Sequence, residues 1–315
     1  MDSEPNLSFV IPVFNEEATI ATLFKGISKT VEESKLGAFE VIFVDDGSSD
    51  HSWDSIKDLH RKQPNQAKGI RLRRNLGKAA ALQAGFNEAR GRTIVTMDAD
   101  LQDEPAEIPN FISKLSEGFD VVSGWKQLRK DPISKTLPSR FFNFATRIAS
   151  GVALHDFNCG FKAYRADAIR NLDLYGELHR YIPVLLDSEG FSVTEIPVSH
   201  NRRVHGVSKY GWSRLLKGCI DLITVIVLTR YLKRPGHFFG GFGLLSGLVG
   251  FGILLWLSIQ KLFFGVFLSD RPLFFLGILL LIFGIQLLST GLIGELLNFN
   301  AKNKNRLPEL IDEKL

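Results

Sequence analysis

Asp98-Ala-Asp100-Leu-Gln102-Asp103 follows the apolar run Thr93-Ile-Val-Thr-Met97. Two carboxylates one residue apart at the end of a buried strand are a poor choice for stability. They are a good choice for holding a divalent cation against a phosphorylated ligand. Side chains two residues apart on a strand share one face. A bend at Ala99 would let both carboxylates and the Gln102 amide converge on one ion. Hard cations such as Mg²⁺ take oxygen ligands and keep substrate phosphates in their shell. The competing account is local, with Asp98 and Asp100 capping the turn that follows.

The elements that must position these residues alternate along the chain. Strands are predicted over Leu7–Phe14, Phe39–Val44, Gly69–Leu72, Thr93–Met97 and Phe119–Gly124. Helices are predicted over Glu16–Ser34 with Asn15 as N-cap, from Asp50 or Ser52 to about His60, over Gly77–Ala89, and from Pro105 to Ser116. Such β-α repetition with continuous apolar strands implies an α/β fold with a mainly parallel sheet covered on both faces. Ligands of these sheets bind beyond the carboxyl ends of the strands. The polar residues obey that rule. Asn15 and Glu16 follow the first strand, Asp45 to Asp50 the second, Arg73 to Lys78 the third, and Asp98 to Asp103 the fourth. A GxGxxG dinucleotide fingerprint and a GxxxxGK[ST] phosphate loop are both absent. Phosphate handling is therefore expected to go through metal and basic side chains.

The last third of the chain has a different composition. Residues 235 to 260 and 272 to 294 contain no Asp, Glu, Lys or Arg. Each run exceeds the roughly 20 residues that cross a bilayer. The connector Lys261 to Arg271 is short, so an antiparallel hairpin is expected, with helices at about 236–260 and 272–296. Arg214, Lys217, Arg230, Lys233 and Arg234 precede the pair, and Lys302, Lys304 and Arg306 follow it. The positive-inside bias places both termini and the large domain in the cytoplasm. The net charge of +4 reads as membrane anchoring rather than nucleic-acid binding. Tyr210 to Tyr231 has an apolar core too short to span, bracketed by Trp212, Arg214, Lys217 and Arg230, and reads as an interfacial helix. A core helix of the large domain is the alternative. Gly243 and Gly247 make a GxxxG step, and Gly277, Gly284 and Gly291 recur every seven residues. They pack within the hairpin or between subunits of a homo-oligomer. The start, Met-Asp-Ser-Glu-Pro, has no apolar h-region, and no signal peptide is expected. Cys159 and Cys219 have no zinc spacing, and no disulfide is expected in a cytoplasmic domain.

Together, Val10-Ile-Pro-Val-Phe-Asn-Glu-Glu17, Val44-Asp-Asp-Gly-Ser-Ser-Asp50, Asn75-Leu-Gly-Lys78, Met97-Asp-Ala-Asp-Leu-Gln-Asp103, Asp156-Phe-Asn-Cys-Gly-Phe-Lys-Ala-Tyr-Arg165 and Arg203-Val-His-Gly-Val-Ser-Lys209 resemble the family 2 glycosyltransferases of GT-A fold. The chain is most similar to their polyisoprenyl-phosphate branch, which includes dolichol-phosphate mannose synthase and bactoprenol glucosyltransferases. The resemblance covers about residues 7 to 211. It implies a Rossmann-like GT-A domain over 1–208, an amphipathic segment over 209–234, the hairpin over 235–298 and a cytoplasmic tail over 299–315.

It also implies roles. Pro12, Phe14, Glu16 and Asp46 contact the nucleoside of the donor, and Lys78, Asp98, Ser208 and Lys209 its phosphates. Asp98, Asp100 and Gln102 hold Mg²⁺ or Mn²⁺. Lys126 and Arg140 meet the acceptor phosphate. Asp100, Asp156 and Arg203 act in the transfer, with Asp156 orienting cations, lining the sugar pocket or, as the less needed alternative, taking a proton. His155, His200 and His205 carry no role. The expected reaction is inverting transfer of a hexose, with glucose from UDP-glucose the first choice, to an undecaprenyl-type polyprenyl phosphate. Mannose or a modified amino-pentose on the same lipid is the alternative. A processive synthase is disfavoured because no QxxRW pentapeptide occurs. A non-catalytic nucleotide-sugar scaffold is disfavoured by the intact acidic set.

Overall fold

The structure is a computed structural model describing residues 5–127, 143–148, 150–170, 172–199, 235–265, 267 and 271–304. The chain divides into two units, Met1–Val225 and Ile226–Leu315.

Apolar and β-branched runs become β1 (Leu7–Val13), β2 (Phe39–Asp45), β4 (Thr93–Thr96) and β5 (Val121–Trp125), and all four are largely buried. With β3 (Ala67–Arg71), β6 (Lys162–Arg165) and β7 (Val193–Pro197) they form one sheet in the order β3-β2-β1-β4-β6-β5-β7. Every strand but β6 runs in the same direction, and β6 is antiparallel to both β4 and β5. The mainly parallel α/β sheet expected from the sequence is present. β6 and β7 lie beyond the last strand that the pattern predicts.

Helices α1 (Ile20–Glu33), α2 (Ser52–Lys62), α3 (Lys78–Glu88), α4 (Ile108–Ser116) and α5 (Ile182–Glu189) belong to the same unit. Helix α1 buries Ile20, Leu23, Phe24, Ile27 and Val31, a single stripe at helical spacing. Each such side chain contributes roughly 1.5–3 kcal/mol when fully buried. The Phe111 ring of α4 stacks on Phe161 with centroids 4.2 Å apart, which fixes the chain just before β6.

Three boundaries differ from expectation. Helix α1 begins at Ile20 after Thr19, and Asn15 is not its cap. Asn15 has φ +58°, and its Oδ1 accepts the Ser49 N–H at 2.9 Å, so it ties the β1 loop to the β2 loop. Strand β3 is shifted, starting at Ala67 and ending at Arg71. A 3₁₀ turn over Pro105–Glu107 precedes α4.

Register explains Pro12. Strand β1 pairs with β2 from Leu7 to Val13 but with β4 only from Leu7 to Val10. Val10 O accepts from Met97 N, on the β4 side. Two residues on, Pro12 faces that same side past the end of the ladder, where a missing N–H costs nothing.

In the second unit, α6 (Pro235–Phe264) and α7 (Pro272–Lys304) pack against each other as the expected hairpin. Gly236–Phe264 and Pro272–Leu297 are long and apolar enough to cross a membrane. Leu244, Leu248, Phe251, Ile282 and Ile293 are among many large apolar side chains left exposed. The glycines serve the hairpin. A Cβ on Gly243 would lie 2.7 Å from Gly284 O, and one on Gly250 would lie 2.7 Å from Gly277 O. Ser246 Oγ donates to Leu280 O at 2.9 Å across the same seam. The segment 209–234 lies outside the described residues.

Candidate active site

Parallel strands deliver their C-terminal loops to one edge of the sheet, and the antiparallel β6 delivers its N-terminal loop to that same edge. Thr96 of β4 and Ser123 of β5 both pair with Lys162 at the start of β6. Residues 156–161 are thereby brought against Asp98.

The acidic turn is built around two carboxylate–ammonium pairs. The Lys78 Nζ, from the first turn of α3, donates to Asp98 Oδ1. Lys126 Nζ, just after β5, lies 2.8 Å from Asp103 Oδ1. Asp98 N–H donates to Asp103 Oδ2 at 3.3 Å, which joins the pairs. Asp100 is buried and its Oδ1 accepts the Gln102 N–H at 3.2 Å. The left-handed residue of this turn is Leu101, with φ +59°, rather than Ala99. Strained backbone of this kind persists where its surroundings hold it. Burial pushes the Asp98 carboxyl up, but the charges of Lys78 and Lys126 outweigh it and hold it well below the usual range. Burial works against the Lys126 ammonium, and Asp103 beside it reverses the effect and raises it.

Gly160 abuts this cluster. A Cβ there would lie 2.6 Å from Asp98 Oδ2. Asp156 is buried, and its Oδ1 accepts the Asn158 N–H at 3.1 Å. Lys162 is buried beneath the loop, with its ammonium on the carbonyls of Phe157 and Cys159. Burial lowers its pKa. Burial pushes the Cys159 thiol up to about 12, so it packs as a thiol.

Asp46 is also buried, and both oxygens accept backbone N–H groups, Leu76 at 2.7 Å and Gly77 at 2.9 Å. It holds the entry to α3 and hence the placement of Lys78. Phe14 is partly exposed at the end of β1. Glu16 N–H donates to Ser52 Oγ at 2.9 Å. Pro12, Phe14, Glu16, Asp46, Asp98, Asp100, Gln102, Lys126 and Asp156 fall on the loops or strand ends of this edge, and Lys78 opens α3 beside them. Arg140, Arg203, Ser208 and Lys209 lie outside the described residues, as do His200 and His205. His155 is held by Glu195 and stacks on Trp125, with centroids 4.2 Å apart.

Sequence reasoning missed Lys162, His179 and Arg180. Lys162, Lys78, Gly160, His179 and Arg180 line one cleft. The signal for Lys162 was a charge between apolar neighbours, Phe161 and Ala163. The signal for His179 and Arg180 was a basic pair just before α5, where the helix dipole disfavours cations.

Residues 8–173 match the glycosyl transferase family 2 profile, more than half of the chain. The chain belongs to glycosyl transferase family 2. A dodecaprenyl-phosphate galacturonate synthase from Rhizobium johnstonii is 38% identical over 295 residues, covering 92% of this chain and 87% of that one. An undecaprenyl-phosphate 4-deoxy-4-formamido-L-arabinose transferase from Pseudomonas aeruginosa is 36% identical over 313 residues, covering 98% and 90%. Glucosyl-3-phosphoglycerate synthase from Mycobacterium tuberculosis, solved with Mg²⁺ and UDP, aligns at TM-score 0.54 and 20% identity. That alignment covers 71% of this chain and 79% of the other. The same enzyme with Mn²⁺, UDP and phosphoglyceric acid gives 0.53 at 20% identity, over 71% of this chain and 78% of that one. The fold of the large unit is thus GT-A, and the protein is a glycosyltransferase with two C-terminal helices able to span a membrane.

Its donor set fits a divalent ion. Among the described residues no three Asp, Glu, His or Cys side chains form a metal-holding group. Asp98 and Asp100 would supply one or two carboxylates to such an ion, with phosphate oxygens and water as the remaining ligands. Mg²⁺ sites that bind substrate phosphates are built this way.

Proposed function

We propose that the protein transfers a sugar from a nucleoside diphosphate donor to a polyprenyl phosphate at the cytoplasmic membrane face, with inversion at the anomeric carbon. The observation that carries this reading is the joined Lys78–Asp98 and Asp103–Lys126 pairs at the carboxyl edge of the sheet. The membrane hairpin and the names of the two relatives support a lipid acceptor. Those names also favour a galacturonate or a modified amino-pentose. The hexose first expected, glucose from UDP-glucose, has no counterpart in them.

In this reading Pro12, Phe14 and Glu16 border the nucleoside, and Asp46 sets the loop beside it. Asp98, Asp100 and Gln102 hold Mg²⁺ or Mn²⁺ with the donor diphosphate. When bound, the ion offsets charge developing on the leaving group. Lys126 and Arg140 meet the acceptor phosphate, and Arg203, Ser208 and Lys209 close over the donor. A phosphate monoester with a second pKa of about 6 is largely a dianion at neutral pH. It needs no strong general base, so Asp156 orients the loop that carries Asn158 and Gly160. Catalysis then rests on positioning and fixed charge. Lys78 guards the Asp98 carboxylate until the donor arrives.

The test uses purified full-length protein, polyprenyl phosphate, Mg²⁺ and radiolabelled nucleotide sugars. Label should enter the organic phase and disappear with EDTA or in Asp100→Ala. Nucleotide-sugar binding with no lipid labelling from any donor would sink the reading.

A further inference from the structure

Glu195 of β7 holds His155 by two hydrogen bonds. The His155 main-chain N–H donates to Oε2 at 2.7 Å, and the ring Nδ1 meets Oε1. A carboxylate only accepts, so Nδ1 carries a proton and the ring is fixed in orientation. The ring then stacks on Trp125 at the end of β5, with centroids 4.2 Å apart and planes 15° apart. Glu195 pairs in register with Ser123, and Ser123 and Trp125 share one face of the sheet. Both contacts of His155 therefore lie on that face. The His155 side chain is 46% exposed. A pair so open to water adds little to stability, and its geometry matters more than its energy.

Farther along, the same segment meets β5 from the opposite face. Gly124 and Trp125 are consecutive in β5 and look to opposite sides. A Cβ on Gly124 would lie 2.9 Å from Cys159 Sγ. Strand β5 is bonded to β6 on one side and to β7 on the other, so the chain passes from His155 to Cys159 over the carboxyl end of the strand. Asp156, Phe157 and Asn158 make that crossing where Lys126 leaves β5. The far end of the crossing has its own ties. Thr96 Oγ1 donates to Gly160 O at 2.8 Å, and the Lys162 ammonium sits on the carbonyls of Phe157 and Cys159. The near end is held by Glu195.

We propose that Glu195 is a positioning residue of the transfer: through His155 it fixes the crossing loop at Lys126 and so sets the acceptor-phosphate side of the site. The assignment rests on the transfer reading above and deepens it. Glu195 acts through His155 and Trp125 rather than by touching a substrate. Loss of its carboxylate frees the His155–Asp156 end of the loop. Asp98 keeps its Lys78 partner and its contact with Gly160. The acceptor side is then disturbed and the donor side is not.

The test uses full-length protein, undecaprenyl phosphate and the nucleotide sugar that labels lipid in the assay above, with initial rates followed against both substrates. Glu195→Ala should lower kcat/KM for the lipid on the order of ten- to a hundredfold, the scale of a small misplacement of a reacting group, with KM for the donor within about twofold of wild type. Glu195→Gln should recover most of the loss. Its amide oxygen accepts the main-chain N–H, and its NH₂ donates to Nδ1 of the other ring tautomer. His155→Ala should add little in the Glu195→Ala background, because the ring acts through that carboxylate. Unchanged lipid kinetics in Glu195→Ala overturn the inference and leave the transfer reading standing. So does a loss shared equally by lipid and donor with a lowered melting temperature, the mark of a merely structural role, and so do additive losses in the double variant. Failure of wild type to label lipid from any nucleotide sugar sinks the transfer reading itself, and this assignment with it.

Discussion

Gly160 makes the space that Asp98 occupies. Its α-carbon faces the carboxylate so closely that a single methyl would lie 2.6 Å from Oδ2 and 2.7 Å from Oδ1. Gly160→Ala should therefore push Asp98 away from Lys78 or displace the 156–161 loop. Misplacement of about 1 Å costs on the order of a hundredfold in rate. A loss of that size in lipid-linked product is expected, with a small change in melting temperature. A variant that keeps full activity would show that Asp98 need not hold this position.

Asp46 is expected to act through the chain it holds. Asp46→Ala leaves two backbone N–H groups without acceptors and should cost about 3–6 kcal/mol, since hydrogen bonds to charged groups contribute about 1.5–3 kcal/mol each. Asp46→Asn keeps one oxygen acceptor and should fall in between. Denaturant unfolding of the two variants measures the difference. Equal losses would mean that only one of the two bonds matters.

Glu40 marks the opposite end of the sheet. It accepts from Ser8 Oγ at 2.6 Å and Arg90 N at 2.8 Å, and pairs with Lys68 Nζ at 2.6 Å. Burial raises its pKa, but Lys68, Ser8 and the Arg90 N–H outweigh that and leave it below its ordinary 4.5. The unfolded chain binds the proton more readily, so stability rises with pH through this window. The Glu40 contribution is full above about 4.5 and is lost as pH falls through the folded value. Glu40→Gln should be clearly destabilised at pH 7 and approach wild type as the pH drops below 4.5. Unfolding free energy against pH, wild type beside variant, checks it. Turnover per folded molecule should be unchanged, because Glu40 is remote from the acidic turn.

Gly284 sets the closeness of the hairpin. A Cβ there would lie 2.6 Å from Gly243 O and 2.8 Å from Gly247 N. Gly284→Val should separate α6 from α7 and cost about 1–3 kcal/mol, typical of overpacking. Thermal unfolding in detergent measures it. Gly241→Ala, where the added methyl meets nothing within 4 Å, should be near neutral.

The residues of the candidate site were more legible than the scaffold that aims them. Asp98 and Asp100 stand out because acidic side chains at the end of an apolar strand have no packing purpose. Asp46 stood out for the same reason, yet its oxygens go to Leu76 and Gly77. Spacing reveals a carboxylate, and only contacts reveal what it accepts from. Asn15 is a parallel case, read as a helix cap and found tying two loops.

Composition and period determined the α/β alternation, the polar strand ends and the apolar hairpin, because each is local: a strand, a helix or a membrane span is written in consecutive residues. The tertiary structure decided what depends on residues far apart in the chain. It reversed β6, so that Lys162 and the Asp156–Gly160 loop reach Asp98 from some 60 residues away. It set His179 and Arg180 in the same cleft as Lys78. It also assigned the recurring glycines to the contact between α6 and α7. A four-residue antiparallel strand has too few positions to show a period, and sheet order is set by burial and hydrogen bonding between strands. Neither leaves a mark on neighbouring residues.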